Sequence, residues 1–274
     1  MNYKIVASDL DGTLLNNKKE VSPENLAAIN RMAELGVYFV PCSGRTLREI
    51  PENVKGIPSV RYILHSDGAV IFDKKTGERI EACMSKDVAK PALDILFDYE
   101  NSMTVRYKGE SYINAVEHSV EYYTRHRVDK FYQDMIYEVC RPMWDYKRFC
   151  YGLDGIEMIC IHFESPAALE ECKERLEKVD GISVTRLEVQ SIEVYDKSAG
   201  KGNGLRRLAD HLGYSYEATV GVGDSGNDLD MLRKAGLSLV MSNGLDIAKA
   251  EADEIVCSNE EHVAKYILEN YIEK

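Results

Sequence analysis

Two apolar runs far apart in the chain end in the same way, and this shared ending constrains the fold more than any other feature. The first is "KIVASDLDGTLL", Lys4 to Leu15, where a short hydrophobic run meets Asp9, Leu10, Asp11, Gly12 and Thr13. The second is "ATVGVGDSGNDLDML", where a second apolar run meets Asp224 in a glycine-rich turn, followed by Asn227 and Asp228. Short apolar runs of this kind read as buried strands. Carboxylates are costly to bury and repel one another at close range. Strands that end in acids therefore call for something that holds those acids.

The segments around these runs alternate between strand and helix. "SPENLAAINRMAELG" reads as a helix, with Ser22 as its cap, Pro23 in its first turn and Gly36 at its end. "VYFVPCSGR" reads as a strand that breaks at Pro41 to Gly44, and "RYILHSDGAVIFDKKTGERI" as strands turning at Asp67-Gly68 and again near Lys74 to Gly77. "KGNGLRRLADHLG" is a helix ended by Gly213, and the segment after Asp224 is a helix ended by Gly236. "LSLVMSNG", "EIVCSN" and a last helix from Glu260 complete the pattern. Such alternation predicts an α/β fold, a Rossmann-like, doubly wound parallel sheet with helices on both faces. Ligands then bind beyond the carboxyl ends of the strands.

The middle of the chain has a different texture. It contains a helical stretch around Val88 to Glu100, kinked or started by Pro91, a hairpin "TVRYKGESYIN", and a tyrosine-rich, charged stretch from Glu117 to Arg148. A strand "GIEMICIHF", a helix "SPAALEECKERLEKV" and a strand "ISVTRL" follow. This predicts an inserted α+β domain over 83–189, with the α/β core formed by 1–82 and 190–274. The length of 274 residues suits two domains.

If the two acid-ended strands are neighbours, Asp9, Asp11 and Asp224 converge on one point. Three carboxylates with oxygen-only surroundings suit Mg2+, a hard cation. Gly12 allows the chain to turn and bring backbone N–H groups toward a ligand. A single Asp-Gly is an ordinary turn signal, but two such clusters at two strand ends are the arrangement that builds a site. "CSGR" adds Ser43 at another strand end, with Gly44 allowing close approach, and Lys201 in "AGKGNG" opens a helix. A hydroxyl, a lysine and helix N-terminal amides make a phosphate cradle. The Lys201 segment is not a Walker loop, because Tyr195 stands where the first glycine is required and Gly202 follows the lysine.

Taken in order, "DLDGTL", "SGR", the Lys201 segment and "GDSGNDLDML" resemble the four motifs of the haloacid dehalogenase superfamily of phosphatases. The insertion resembles the large α/β cap of its Cof-like subgroup. The resemblance implies that Asp9 is the nucleophile, forming an aspartyl-phosphate, and that Asp11 protonates the leaving oxygen and later activates water. It implies Mg2+ bound by the Asp9 carboxylate, the Asp11 backbone carbonyl and Asp224, with Asp228 supporting the metal. Ser43 and Lys201 would hold the transferring phosphoryl group, with Gly12, Gly44, Arg45 and Asn227 assisting and Thr13 fixing the first loop. The expected activity is hydrolysis of small phosphorylated metabolites, sugar phosphates first and pyridoxal phosphate or flavin mononucleotide next. The alternatives are a phosphosugar mutase on the same chemistry and a non-catalytic metabolite-binding regulator. One departure stands out, since relatives often carry Asn-Gly where this chain has Asp67-Gly68.

Charge and cysteine content narrow the partners. With 46 acidic and 34 basic residues the net charge is -12, which argues against a nucleic-acid binder but leaves room for a local anion pocket. Seven cysteines at scattered spacings, with no C-x-x-C, predict reduced and mostly buried thiols in a cytoplasmic protein. No leader and no membrane span are expected, because strand-like sequence starts by Tyr3 and no apolar run reaches the length of a span. The six histidines show no metal-ligand spacing.

Overall fold

The computed structural model describes residues 3–188 and 190–274, and the chain divides into two compact units. The first unit comprises 1–44, 50–81 and 200–274, and the second 45–49 and 82–199.

The first unit is built on a five-stranded parallel sheet. Its order is Glu254–Ile255, Leu237–Val240, Thr219–Gly223, Ile5–Ser8, Tyr38–Pro41. The acid-ended strands are therefore direct neighbours, with Ser8 opposite Val222, so their carboxyl ends coincide. Alternation along Ile5–Ser8 sends Ile5 and Ala7 to one face, where they pack with Leu205 and Leu208 of helix Lys201–Leu212 and Met231 of helix Leu229–Lys234. Helix Pro23–Glu34 carries a separate apolar set, including Ala28, Ile29 and Met32, and packs against Val263–Ile267. Its start follows the sequence signal, since the Ser22 side chain accepts from the Asn25 N–H at 3.2 Å. A second small sheet, Tyr62–His65, Val70–Asp73 and Arg79–Glu81, is antiparallel and turns at residues 66–69.

The second unit has a six-stranded sheet in the order Ile182–Glu188, Ser191–Asp196, Met158–Phe163, Asn101–Tyr107, Glu110–Asn114, Arg141–Met143. Its pairs are antiparallel except the last. Met103, Val105, Ile159, Ile161, Ile192 and Val194 face one side and pack with Leu93 and Leu96 of helix Lys86–Leu96 and Leu169 and Cys172 of helix Pro166–Leu176. The tyrosine-rich stretch forms helices Val120–Arg125, Lys130–Val139 and Tyr146–Gly152, and Tyr123 is buried with Ile113, Val128 and Ile136.

The units divide at 81/82 and 199/200, whereas the sequence placed the boundaries at 82/83 and 189/190. The reason is the strand Ser191–Asp196. It hydrogen-bonds to Met158–Phe163 on one side and Ile182–Glu188 on the other, so it belongs to the second sheet. Val189, the last residue of the expected insertion, lies outside the described residues. Among the described residues no helix is long and apolar enough to cross a membrane, and all seven cysteines are free thiols.

Candidate active site

The site forms where three parallel strands of the first unit end together. Asp9 directly follows Ile5–Ser8, and its N–H donates to the Val222 carbonyl at 2.9 Å, which pins it beside the strand that delivers Asp224. On the other side the Cys42 N–H donates to the Ser8 carbonyl, so Ser43 emerges at the same sheet end, almost fully buried.

The centre of the site is the ammonium of Lys201. Its Nζ lies 2.7 Å from Asp9 Oδ1 and 2.7 Å from Asp228 Oδ1, with the lysine side chain fully enclosed. Asp228 is itself held through its other oxygen, which accepts from the N–H groups of Asp224 at 2.9 Å and Ser225 at 3.0 Å. Asp9, Asp224 and Asp228 each offer an oxygen, and these oxygens lie within 4.8 Å of one another. Thr13 Oγ1 donates to Asp224 Oδ1 at 3.3 Å, tying the first acid loop to the second. Gly12 makes this approach possible. Its φ is +80°, and a Cβ there would stand 2.5 Å from Asp224 Oδ2.

One expectation is corrected. The carboxylates that converge are Asp9, Asp224 and Asp228, while the Asp11 side chain pairs with Lys19 at 2.7 Å and is partly exposed. Strict alternation would have kept Asp9 and Asp11 together, but the strand ends at Ser8, so both acids lie in the loop beyond it and alternation no longer applies to them. A second correction concerns the helix opened by Lys201. Its N–H groups at Gly202 and Asn203 are not free, because both donate to Asp230 Oδ2. Asp228, expected to support a metal, also accepts directly from the Lys201 ammonium.

The remaining candidates fall into two groups. Gly44, Asp67 and Asn227 lie together: Asn227 Nδ2 donates to Asp67 Oδ1 at 3.4 Å, and a Cβ at Gly44 would stand 3.2 Å from the same oxygen. Asp67 is buried with a left-handed backbone, its N–H on the Ser43 carbonyl and its carbonyl accepting from Gly200 N–H. Arg45 is grouped instead with the second unit, where its Nη1 donates to the Glu49 carbonyl at 3.1 Å. Sequence reasoning missed Asn243 and Asn259. Asn243 Nδ2 donates to the Gly12 carbonyl at 2.8 Å, and Asn259 Nδ2 to the Leu15 carbonyl at 3.2 Å. The only hint was their position in short Ser-Asn segments after predicted strands.

Electrostatics define what the site demands. Burial pushes the Asp9 carboxyl well above the usual range, Lys201 opposes this, and Asp228 and Asp224 add to it. Burial and then Asp228 raise Asp224 to about 6. Burial alone would lower Lys201, but Asp228 and Asp9 outweigh it and hold the ammonium charged. Three carboxylates against one ammonium leave an excess of negative charge when ionised, and Asp67 adds to it. A cation relieves that excess, and the all-oxygen donor set is the kind hard cations choose. Burial likewise pushes the neighbouring Cys42 thiol up, so it stays an inert SH group.

A family model described as haloacid dehalogenase-like hydrolase matches residues 6–267. The curated protein 5-amino-6-(5-phospho-D-ribitylamino)uracil phosphatase YcsE of Bacillus subtilis is 27% identical over 268 residues, covering 97% of this chain and 95% of its own. A putative phosphatase of Haemophilus influenzae is 30% identical over 278 residues, covering 98% of each. Among solved structures, a haloacid dehalogenase-like hydrolase from Bacteroides thetaiotaomicron superposes with a TM-score of 0.79 at 25% identity, covering 98% of this chain and 100% of its own.

Proposed function

The chain belongs to the haloacid dehalogenase-like hydrolases and is a phosphatase, and from that premise we propose a metal-dependent hydrolysis of small phosphate monoesters with Asp9 as nucleophile. The observation that carries the reading is the Lys201 ammonium, 2.7 Å from both Asp9 and Asp228 at a shared strand end, with Asp224 in the same oxygen cluster. A buried carboxylate attacks only when it is ionised; burial opposes that form of Asp9, and Lys201 favours it.

In the proposed reaction an Asp9 oxygen attacks phosphorus as the bond to the leaving oxygen breaks. Asp11, paired with Lys19 and partly exposed, would leave that pair, take up a proton from solvent and give it to that oxygen. The aspartyl-phosphate is then opened by water, whose proton returns to Asp11 as the bond from phosphorus to Asp9 breaks. Lys201, Ser43 and the backbone N–H groups near Gly12 and Gly44 meet the charge on the phosphoryl oxygens. Asp9, Asp224 and the Asp11 carbonyl would hold Mg2+, which when bound supplies positive charge that relieves the excess on the cluster.

Sugar phosphates lead the proposed substrates, with pyridoxal phosphate and flavin mononucleotide after them. The substrate in the name of YcsE, a ribityl phosphate on a pyrimidine, adds polyol phosphates to the set. The test is phosphate release from such a panel with Mg2+, with chelator, and with Asp9→Asn. Release that needs the metal and disappears in Asp9→Asn is expected. Release that survives in Asp9→Asn would remove Asp9 as nucleophile, and isomerised sugar phosphate without free phosphate would identify a mutase instead.

A further inference from the structure

The helix that presents Lys201 has no cap of its own. Its N-cap is Gly200, which has no side chain to accept from the first N–H groups of the helix. The cap comes from another helix. Asp230 Oδ2 accepts from Gly202 N–H at 2.9 Å and Asn203 N–H at 3.1 Å, and a carboxylate suits the positive end of a helix. Asp230 Oδ1 is braced by Lys234 Nζ at 2.5 Å, and the same ammonium donates to Asn203 Oδ1 at 2.6 Å. The glycines on either side of Lys201 serve this contact. A Cβ at Gly202 would stand 2.2 Å from the Asp230 carbonyl oxygen, and one at Gly200 2.6 Å from Asp230 Oδ2.

Lys201 is thus held at both ends by one short segment. Asp228 grips its Nζ, and two residues later Asp230 grips the backbone just beyond its Cα. We propose that Asp230 is a positioning residue for Lys201, and that its carboxylate occupies the helix N-terminus so that phosphate is met by the Lys201 side chain rather than by the Gly202 and Asn203 amides. This rests on the reading of Lys201 as a phosphate-holding group. A misplacement of about 1 Å in such a group can lower turnover by up to about a hundredfold.

The experiment compares wild type, Asp230→Asn and Asp230→Ala with Mg2+. The readouts are kcat and KM for p-nitrophenyl phosphate, affinity for inorganic phosphate by calorimetry, and Tm. Asp230→Ala should lose about tenfold in kcat and bind phosphate several-fold more weakly, with Tm lowered by about 2–4 °C. Asp230→Asn keeps an acceptor oxygen for both N–H groups and should stay within about threefold of wild type. If Asp230→Ala is insoluble, Asp230→Ser takes its place, since serine is too short to reach both amides. Phosphate affinity and kcat within about twofold of wild type in the shortened variant would overturn the proposal. So would tighter phosphate binding, which would mark the helix N-terminus as the anion site, or an Asn variant as damaged as the Ala variant. Absence of phosphate release by wild type would count against the phosphatase reading, and the phosphate affinities of the variants would still decide the role of Asp230.

Discussion

Replacing Lys201 by methionine keeps an unbranched side chain, one heavy atom shorter, and removes its charge. The ammonium is fully enclosed and lies 2.7 Å from two carboxylates, one of which is fully buried. Without it the excess of negative charge at Asp9, Asp224 and Asp228 grows when they are ionised. Removing one partner from a buried ion pair costs about 3–5 kcal/mol. For a chain of this size each kcal/mol lowers Tm by about 2–4 °C, so a drop of about 6–20 °C is expected in chelator at pH 7.5. Adding Mg2+ should recover part of that drop, because a cation that binds the folded cluster stabilises it by mass action. Activity should not return with it. The lysine charge at the phosphoryl group is expected to be worth about 10²–10³ in kcat, the scale found for a lost transition-state donor. The assay is a thermal melt followed by circular dichroism, with and without Mg2+, beside phosphate release. A Tm within about 2 °C of wild type in chelator would refute the reasoning, since it would mean that the buried carboxylates do not need the ammonium.

The same electrostatics set a pH dependence. The Asp224 carboxyl is raised from 3.8 to about 6 in the folded, metal-free protein, and Asp9 is shifted in the same direction. A raised carboxyl binds its proton more tightly when folded, so its contribution to stability is present at low pH and is lost as pH rises from about 4 through about 6. Mg2+ binds the ionised form, so the Tm difference between metal-loaded and chelated protein should widen from pH 5 to pH 7.5, and a constant difference would contradict this account. Gly12→Ala should fold but lose at least about a hundredfold in kcat, because the new Cβ meets Asp224 Oδ2 and displaces the loop that carries Asp9 and Asp11. A kcat within about fivefold of wild type would show that the loop tolerates the shift.

Much of the first unit could be read from local sequence, because its signals are local. Ser22 caps its helix and Gly213 ends another in the left-handed conformation, as their positions predicted. Apolar runs ending in Asp-containing turns marked the two strands whose pairing builds the site. The second unit was less legible. Ser191–Asp196 reads as a strand in either unit, and only its hydrogen bonds to Met158–Phe163 and Ile182–Glu188 assign it to the second sheet.

The sequence by itself determined the chemistry on offer: an α/β scaffold, acids at two strand ends, a hydroxyl at a third and a lysine at a helix start. Tertiary structure alone decided how those groups are shared. It sent Asp11 to Lys19, drew Asp228 onto Lys201, and filled the Lys201 helix terminus with Asp230. The physical reason is that strand and cap signals depend on neighbours a few residues away. The partner of a buried charge depends on which distant segment folds to within about 3 Å of it, and no spacing along the chain encodes that distance.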